Sequence, residues 1–381
     1  FAEVAAMEQE LATKGNITVR TDADPMAELW TDRPVIPDNE VQLHPLEYSG
    51  ELTSSKISRV RKYLSEYGAD GLLVTALDEI AWVLNLRGSD VHCNPVFVSY
   101  LLISPEKVTL YINNVKLSAE VNAYLASEKI NVEAYEAVVE GLRSYTGKSL
   151  LVDMTSTNYS LATAVPFEKV CSGVSPIVSM KAVKNKVEQD GFRAAMLRDG
   201  VAVVKFLAWL KSAVEAGGQT EISLDERLTA LRAEQPKFKG ISFDTIVGYE
   251  AHGAIVHYEA TPETDIPVEP HGLVLIDSGA QYLDGTTDIT RTIALGELTE
   301  EQRRVYTLVL KGHIQLDICR FPAGACGSQI DALARAPMWR EGYNYMHGTG
   351  HGVGSYLNVH EGPHQIRMEW RSAPLQAGMT V

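Results

Sequence analysis

The chain contains 381 residues, more than one hydrophobic core usually organises, so we expect two domains or more. Hydrophobic residues make up 45% of the chain and charged residues 22%, which is typical of a globular protein. The formal net charge of -15 argues against a nucleic acid or an anionic membrane as the main partner, because both select for basic surfaces. The four cysteines form no CxxC pair, so we expect reduced thiols in a cytoplasmic protein.

The N-terminal part of the sequence predicts a tail, a helix and a set of short strands. Residues 1–47 contain polar, proline-containing stretches such as TDRPVIPDNE, which predict an extended tail or linker. Apolar residues at helical spacing predict a helix from Ser54 to Tyr67. The runs GLLVTA, VSYLLIS, VTLYI and LLVDM predict short strands with helices between them. This alternation predicts a mixed α/β or α+β domain over residues 48–181.

The C-terminal part of the sequence predicts a second domain over residues 182–381. It begins with an amphipathic helix over about 184–213, which is ended by Gly217 and Gly218. The runs FDTIVGY, LVLIDSG and TTDITRTIAL predict strands, and two further helices are expected at about 300–318 and 328–341. Most of the histidines lie in this domain, which is therefore the place to look for chemistry.

Three local patterns resemble known site motifs but fail their structural requirements. HEGPH, which begins at His360, matches HExxH, but Gly362 and Pro363 fall where a zinc-binding helix would have to continue. HGTGHGVG has Val353 where a dinucleotide fingerprint needs its third glycine. GLRSYTGKS, residues 141–149, has one residue too many between its glycines for a phosphate-binding loop. These patterns are therefore not interpreted as sites.

Two aspartates are predicted to lie close together on neighbouring strands. LVLIDSG is an apolar strand that carries Asp277, and DGTTDITRT places Asp288 on the next strand. The Asp-Gly pair at residues 284–285 is a strong hairpin signal, and a hairpin there brings positions 277 and 288 opposite each other to within a residue or two. Neighbouring carboxylates repel each other unless a proton or a cation joins them. An ion pair between Asp288 and Arg291, or a turn cap, is the structural alternative.

Histidines complete a candidate metal site beside these aspartates. His347 and His351 lie among glycines, which allow a close approach of the backbone, and His257 and His360 lie in the same domain. A single histidine is usually a structural residue, but four of them near two strand-borne aspartates are harder to explain in that way. Two carboxylates and one imidazole suit Mn²⁺, Co²⁺, Fe²⁺ or Zn²⁺, and an oxygen-rich set favours Mn²⁺. The residues alone thus predict a metal-assisted hydrolase.

Longer segments of the chain resemble one known family, the Xaa-Pro aminopeptidases (aminopeptidase P), and are most similar to its three-domain cytosolic type. The segments are IVHY, LIDSGAQYLDGTTDITRT, HGTGHGVGSYLNVHEGP, TALDEIAWVLNLRGSDV, NPVF and KAVKN. The resemblance covers almost the entire chain. It implies an α+β protein with a creatinase-like middle domain followed by a pita-bread catalytic domain. Residues 1–47 would then be the end of a first domain that is otherwise absent.

The resemblance also implies a ligand set and a cofactor. Asp277, Asp288 and His351 would be metal ligands, and Asp288 would bridge two divalent ions. Mn²⁺ is the expected metal, with Zn²⁺ and Co²⁺ as alternatives. The family uses five protein ligands, and the last two are glutamates that follow a GM-x-V strand.

The sequence ends at that strand, with Val381. Glu361 and Glu369 are poor substitutes for the missing ligands, because Glu361 already has a place in the HEGP motif and Glu369 lies in a variable stretch. We therefore expect an incomplete site in a molecule that ends at Val381, and a longer native protein.

Roles for three further histidines follow from the same resemblance. His257 and His360 would bind substrate and move protons, and His347 would support them. The implied activity is an aminopeptidase that releases the N-terminal residue from peptides with proline in second position. The implied enzyme is a cytoplasmic homodimer without nucleic-acid or membrane partners.

Two alternatives within the same fold, a prolidase and a non-catalytic binding protein, remain open, and a creatinase is disfavoured. A prolidase would cleave only Xaa-Pro dipeptides. A creatinase lacks the full ligand set, so the presence of both Asp277 and Asp288 argues against it. A non-catalytic binding protein remains open if the metal site is incomplete.

Overall fold

The structure is a computed structural model that describes residues 1–26 and 28–381; Ala27, inside the predicted tail, lies outside the described residues. The helices are α1 (Ala2–Lys14), α2 (Leu46–Ser49), α3 (Thr53–Tyr67), α4 (Leu77–Leu84), α5 (Ala119–Ser127), α6 (Val138–Arg143), α7 (Tyr159–Ala164), α8 (Pro176–Ala182), α9 (Lys186–Ala216), α10 (Glu221–Ala233), α11 (Glu300–Asp317) and α12 (Gly327–Trp339). The strands are β1 (Gln42–Leu43), β2 (Gly71–Val74), β3 (Leu86–Arg87), β4 (Tyr100–Ile103), β5 (Val108–Tyr111), β6 (Ile130–Glu133), β7 (Leu150–Val152), β8 (Val170–Ser172), β9 (Phe238–Ile241), β10 (Ile246–Tyr249), β11 (Leu273–Ser278), β12 (Ala280–Tyr282), β13 (Gly285–Thr286), β14 (Ile289–Ala294), β15 (Gly350–Gly352) and β16 (Glu361–Ile366).

The described residues form two compact units. Unit 1 comprises Phe1–His44, Glu51–Val91 and Val96–Ile177, and unit 2 comprises Pro45–Gly50, His92–Pro95 and Val178–Val381. Two short segments of the N-terminal half therefore belong to the C-terminal unit. The domain limits taken from the sequence, 47/48 and 181/182, stay predictions.

Unit 1 is built on a mixed six-stranded sheet with the strand order β6-β5-β4-β2-β7-β8. The inner strands β2, β5 and β7 are buried along their whole length and consist mostly of apolar residues, which is typical of strands that are covered on both faces. Helix α3 lies over the predicted range and ends at Gly68, whose φ of 89° is a left-handed conformation that glycine adopts without strain. The mixed sheet agrees with the predicted α/β or α+β class.

The beginning of unit 1 differs from the extended tail that the sequence predicted. Residues Ala2–Lys14 form the helix α1, none of whose residues is buried. Its sequence, AEVAAMEQELATK, is rich in alanine, glutamate and other strong helix formers, so local propensity accounts for the helix. Phe1 stacks on Tyr159 with 5.7 Å between the ring centroids. The prolines that suggested an extended chain lie further on.

Unit 2 contains the long helix α9, the helix α10 and an antiparallel sheet of strand order β10-β11-β14. Helix α9 begins with a capping box formed by Asn185 and Glu188 and ends at Gly217, close to the predicted limits. Its buried apolar residues share a core with α10 and the sheet. This core includes Phe206 of α9, Leu228 of α10 and Ile276 of β11. This core covers one face of the sheet, and the candidate site lies on the opposite face.

The predicted hairpin is present and sets the register of the two candidate strands. Tyr282 pairs with Gly285 at the tip, and β11 pairs with β14 so that Asp277 lies opposite Thr290. Position 288 is thus two residues from the partner of Asp277, as the Asp-Gly signal predicted.

The C-terminal part of unit 2 adds two helices and a two-stranded sheet. Helices α11 and α12 lie within one or two residues of their predicted limits. Strands β15 and β16 pair with His351 opposite Gln365. Among the described residues, no helix is both long and apolar enough to cross a membrane.

Candidate metal centre

One cleft in unit 2, with a volume of about 1110 Å³, brings together all the site residues that the sequence predicted. Its lining includes Asp277, Asp288, His257, His347, His351 and His360. These residues come from the β11–β14 hairpin, from the turn after β10 and from the segment around β15 and β16. Apolar side chains, among them Phe192, Phe243 and Ile246, form other parts of the wall. The cleft therefore combines a polar cluster with surface suited to an apolar peptide residue.

The hairpin presents the two carboxylates to the cleft. Asp277 lies at the end of β11, where the Thr290 hydroxyl of β14 donates a hydrogen bond of 2.7 Å to Asp277 Oδ1. Asp288 directly precedes β14, and its Oδ2 lies 3.3 Å from Nε2 of His351. The Arg291 guanidinium donates to the carbonyl of Thr290 at 2.7 Å. The alternative of an Asp288–Arg291 ion pair is thus replaced by a contact with His351.

His351 is oriented as a metal-binding imidazole would be. Its Nδ1 lies 2.9 Å from the carbonyl oxygen of Gly352, so the Nδ1–H can donate there and leave the Nε2 lone pair facing Asp288. The His360 ring packs against it with 4.4 Å between the centroids. The pairing of β15 with β16 brings both histidines to the same place.

The electrostatics of the cluster are those of acids held close together. Burial raises the pKa of Asp277, and the neighbouring Asp288 adds to the rise, while the Thr290 hydrogen bond opposes it. Burial disfavours the charged imidazole of His351, but its contact with Asp288 and its bond to Gly352 outweigh burial and raise the pKa of His351. Burial and then the nearby His351 lower the pKa of His360. A cation between the carboxylates would relieve their repulsion.

A buried glutamate holds the segment that carries His257. Glu221 is fully buried and accepts hydrogen bonds of 2.8 Å from the backbone N–H of Tyr249 and from the Tyr258 hydroxyl. Nδ1 of His252 lies 3.0 Å from the same carboxylate. The chain on both sides of His257 is thereby fixed to the first turn of α10.

A buried ion pair on α12 holds the segment that carries His347. Arg335 Nε donates to Asp331 at 2.6 Å, and its Nη2 donates to the carbonyl of His347 at 2.8 Å. The Thr349 hydroxyl donates to the other oxygen of Asp331 at 2.5 Å. The glycine-rich segment around His347 thus has a rigid support although it builds little core of its own.

A third buried carboxylate lies directly beside His360. Glu361 contacts the ammonium groups of both Lys181, at 2.7 Å, and Lys184. All three side chains are about 1% exposed. Glu361 is therefore engaged in an interior charge cluster, and the exposed Glu369 pairs with Arg367 at 2.7 Å. Neither is placed to complete the ligand set, which agrees with the expectation from the sequence.

The HExxH letters do not form a zincin site. Residues Glu361–Ile366 are the strand β16, so His360 and His364 do not share a helical face. His364 is fully buried, and its Nε2 lies 2.7 Å from the carbonyl oxygen of Thr380. The glycine and proline inside the motif account for the missing helix.

The donor set in the cleft fits divalent metal ions by its chemistry. Asp277, Asp288 and His351 offer carboxylate oxygens and one imidazole nitrogen, the donors that suit Mn²⁺, Co²⁺ or Zn²⁺. Their ligand atoms do not all lie within 4.8 Å of one another, a spacing that a different trio of residues in this unit does meet.

The supporting residues were missed at the level of sequence. Lys181 and Lys184 lie in KAVKN, which contributes to the sequence analysis only through a family resemblance, and nothing local connects them to Glu361. Arg335 is likewise an unremarkable helix residue in the sequence. A charged residue at an apolar helix position is the signal that could have identified such groups, because buried charges require partners.

Family models match both parts of the chain. The Creatinase/Prolidase N-terminal domain matches residues 32–188, and metallopeptidase family M24 matches residues 190–381. The chain therefore belongs to metallopeptidase family M24, with a creatinase-like domain before a pita-bread domain, and the predicted fold class is confirmed.

Within this family, the chain is similar to aminopeptidases P. It is 42% identical over 369 residues to a probable Xaa-Pro aminopeptidase P of Paracoccidioides brasiliensis (strain Pb03), covering 92% of this chain and 60% of the relative. It is 38% identical over 423 residues to aminopeptidase P1 of Arabidopsis thaliana, covering 98% of this chain and 66% of that protein. The chain thus spans less than two thirds of the length of these relatives.

A solved structure agrees with this placement. The X-prolyl aminopeptidase of Caenorhabditis elegans, described as a cytosolic enzyme with a di-nuclear active site, superposes with a TM-score of 0.93 at 34% identity. The match covers 100% of this chain and 63% of that chain. The resemblance predicted from the sequence segments is confirmed at the level of the family.

Proposed function

We propose that this chain carries the metal-binding and peptide-binding residues of an Xaa-Pro aminopeptidase, which releases the N-terminal residue from peptides with proline in second position. The observation that carries the proposal is the single cleft in which Asp277, Asp288 and His351 meet His257 and His360. The similarity to aminopeptidases P supports the choice of substrate.

Two divalent ions are proposed as the cofactor, with Asp277, Asp288 and His351 as ligands and Asp288 shared between the ions. Bound there, such ions supply Lewis-acid polarisation of the peptide carbonyl and activation of water. The di-nuclear site of the C. elegans enzyme supports the number of ions. We propose Mn²⁺ because most of the donors are carboxylate oxygens, which harder ions prefer.

The chain's own residues would bind the peptide and move its protons. We assign His257 to holding the substrate, because Glu221 fixes the backbone on both sides of it. We assign His360 to passing a proton to the proline nitrogen, which must gain one as the C–N bond breaks. His347 would support the same wall of the cleft through its Arg335-anchored segment. Proline needs a dedicated site because it lacks an N–H and its ring fixes the backbone.

The first test compares substrates. The full-length native protein, purified and loaded with Mn²⁺, should release the first residue from an Xaa-Pro-Yaa tripeptide and leave a matched Xaa-Ala-Yaa peptide intact. Hydrolysis of an Xaa-Pro dipeptide with no cleavage of the tripeptide would instead establish a prolidase. If neither peptide is cleaved and elemental analysis finds no metal, the protein is a binding protein of the same fold.

The second test removes the metal. Dialysis against a chelator should abolish cleavage, and added Mn²⁺ should restore it; activity that survives chelation would contradict the proposed mechanism. Zn²⁺ and Co²⁺ in parallel reconstitutions identify the preferred ion.

The assembly and location of the enzyme complete the proposal. We propose a homodimer in the cytoplasm, on the family resemblance and on the cytosolic description of the C. elegans relative. Sedimentation equilibrium should give twice the chain mass.

A further inference from the structure

A second group of potential metal ligands lies in unit 2, and neither the fold nor the proposed reaction requires it. His92 and Cys93 belong to the short segment His92–Pro95, and Asp244 lies between β9 and β10. One ligand atom from each of these three residues lies within 4.8 Å of the other two. Among the described residues, this is the one group of His, Cys, Asp or Glu that meets this spacing.

The distances are close to those of a tetrahedral site. Nε2 of His92 lies 2.7 Å from Oδ1 of Asp244. In a tetrahedral zinc site with metal–ligand bonds of about 2.0–2.3 Å, neighbouring ligand atoms lie roughly 3.3–3.8 Å apart. If these two atoms moved apart by less than about 1 Å, a zinc ion could bind between them. Both side chains are more than half exposed, so they are free to make this shift, and water can reach the fourth position.

The backbone of Cys93 is held in place from the protein interior. The buried Gln281 amide donates to the carbonyl of Cys93 at 3.0 Å and to that of Leu357 at 2.8 Å. Thr286 donates to the other end of the same side chain at 2.7 Å. Cys93 itself has a φ of 59°, a left-handed conformation that is unfavourable for cysteine and persists only where the surroundings enforce it. One ligand of the trio is thus preorganised.

The chemistry of the trio differs from that of the main cleft. A thiolate, an imidazole and a carboxylate together select a borderline-soft ion such as Zn²⁺ over the harder Mn²⁺. Burial, and secondly Asp244, raise the pKa of the Cys93 thiol to about 11, so the thiol is protonated at neutral pH and a bound ion would displace its proton. A cation at this point would also neutralise the repulsion between the thiolate and Asp244.

We propose that His92, Cys93 and Asp244 form an auxiliary Zn²⁺ site with three protein ligands and an open fourth position. Phe243, the neighbour of Asp244, lines the main cleft, so a bound ion would cross-link the His92–Pro95 segment to the rim of that cleft. The role that follows is to fix this rim. The site does not depend on the proposed peptidase activity.

The test uses Co²⁺ as a spectroscopic substitute for Zn²⁺ in the purified, metal-free protein. Co²⁺ bound by Cys93 gives a thiolate-to-metal charge-transfer band in the near ultraviolet, whereas the cleft donors Asp277, Asp288 and His351 contain no sulfur. We expect one such band per chain and its displacement by an equivalent of Zn²⁺. The band should disappear in Cys93→Ser and persist in the matched control Cys319→Ser.

Two further variants keep the test independent of the folding of Cys93→Ser. His92→Gln and Asp244→Asn change exposed side chains and should each weaken Zn²⁺ binding by at least about tenfold, since even outer-shell changes reduce metal affinity ten- to hundredfold. Asp288→Ala should leave the band unchanged, which separates this site from the main centre. A wild-type protein without the band, or a band that survives in His92→Gln and Asp244→Asn with unchanged affinity, would overturn the proposal.

Discussion

Two groups of carboxylates in unit 2 differ in their surroundings: those enclosed within the fold and those that line the cleft. Glu221 and Glu361 are enclosed, and each accepts contacts from two or more donors, with two lysine ammonium groups around Glu361. Asp277 and Asp288 line the cleft, where a single hydroxyl and a single imidazole are their nearest partners. The lining acids thus keep lone pairs that the enclosed acids have already used.

The difference separates structural charge from functional charge. A buried charge without compensation costs several kcal/mol, so an enclosed carboxylate has to be paired within the fold. The acids of the cleft lack such pairing: burial raises the pKa of Asp277 and the nearby Asp288 adds to the rise, which a cation at the site would offset. Substitutions in the two groups should therefore change different properties of the protein.

The largest effect is expected on the side of the cleft. Asp288→Ala or His351→Ala should lower turnover of an Xaa-Pro tripeptide by at least about a thousandfold, because a metal ligand that acts on the transition state is lost. The melting temperature should change little, because neither side chain is deeply buried. Steady-state kinetics and elemental analysis measure the effect, and Asp317→Ala, an exposed acid on α11, is the control. Unchanged turnover in Asp288→Ala would show that the carboxylates lining the cleft have no catalytic function.

A large loss of stability is expected from the enclosed group. Asp199 accepts two hydrogen bonds from Arg232, at 2.8 and 2.9 Å, and one from the Tyr282 hydroxyl at 2.9 Å, and the ion pair is fully buried. Asp199→Ala leaves a buried guanidinium uncompensated and should lower the free energy of unfolding by about 3–5 kcal/mol. Denaturant titration measures it. Glu234→Ala, which breaks the exposed pair with Lys205, should cost less than about 1 kcal/mol.

An intermediate effect is expected where an enclosed acid supports the cleft. Lys181→Met removes one of the two ammonium groups around Glu361, and the strand beside His360 should lose its fixed position. We expect kcat to fall about ten- to hundredfold, the range found for residues that orient metal-site groups. Metal content should be retained, unlike in His351→Ala. A loss of stability with an unchanged kcat would show that Lys181 has no positioning role.

The smallest effect is expected on the pH dependence of stability, and it comes from a buried histidine in unit 1. Burial, together with Arg87 and Lys56, holds the pKa of His44 far below its ordinary value of 6.5. The unfolded chain binds a proton at His44 below that value and the folded chain does not, so stability should fall as the pH drops below about 6.5, by up to about 1.4 kcal/mol per pH unit.

His44→Gln should reduce this pH dependence between about pH 6.5 and 5, measured by urea unfolding. The exposed His313→Gln should leave it unchanged. A pH dependence that is identical in His44→Gln and the wild type would show that His44 is not its source.

The sequence predicted the parts of the fold and of the site that depend on local pattern. The helix over residues 54–67, the long helix before Gly217 and the hairpin at residues 284–285 follow from periodicity and turn chemistry, which act between near neighbours. Asp277 and Asp288 were found because they lie on one hairpin. The helix Ala2–Lys14 differs from the predicted tail because its own residues have high helix propensity, and the prolines that favour an extended chain lie further on.

The amino-acid sequence by itself determined most of the element types, the acid pair of the hairpin and the family to which the chain belongs. Only the tertiary structure decided that Lys181 and Lys184 enclose Glu361, that Arg335 supports the His347 segment, and that Asp244 meets Cys93. The physical reason is the separation in sequence of the residues that interact: turn and helix preferences are set by residues a few positions apart. The pairing of buried charges and of metal ligands is set by packing between segments far apart in the chain, which no local pattern encodes.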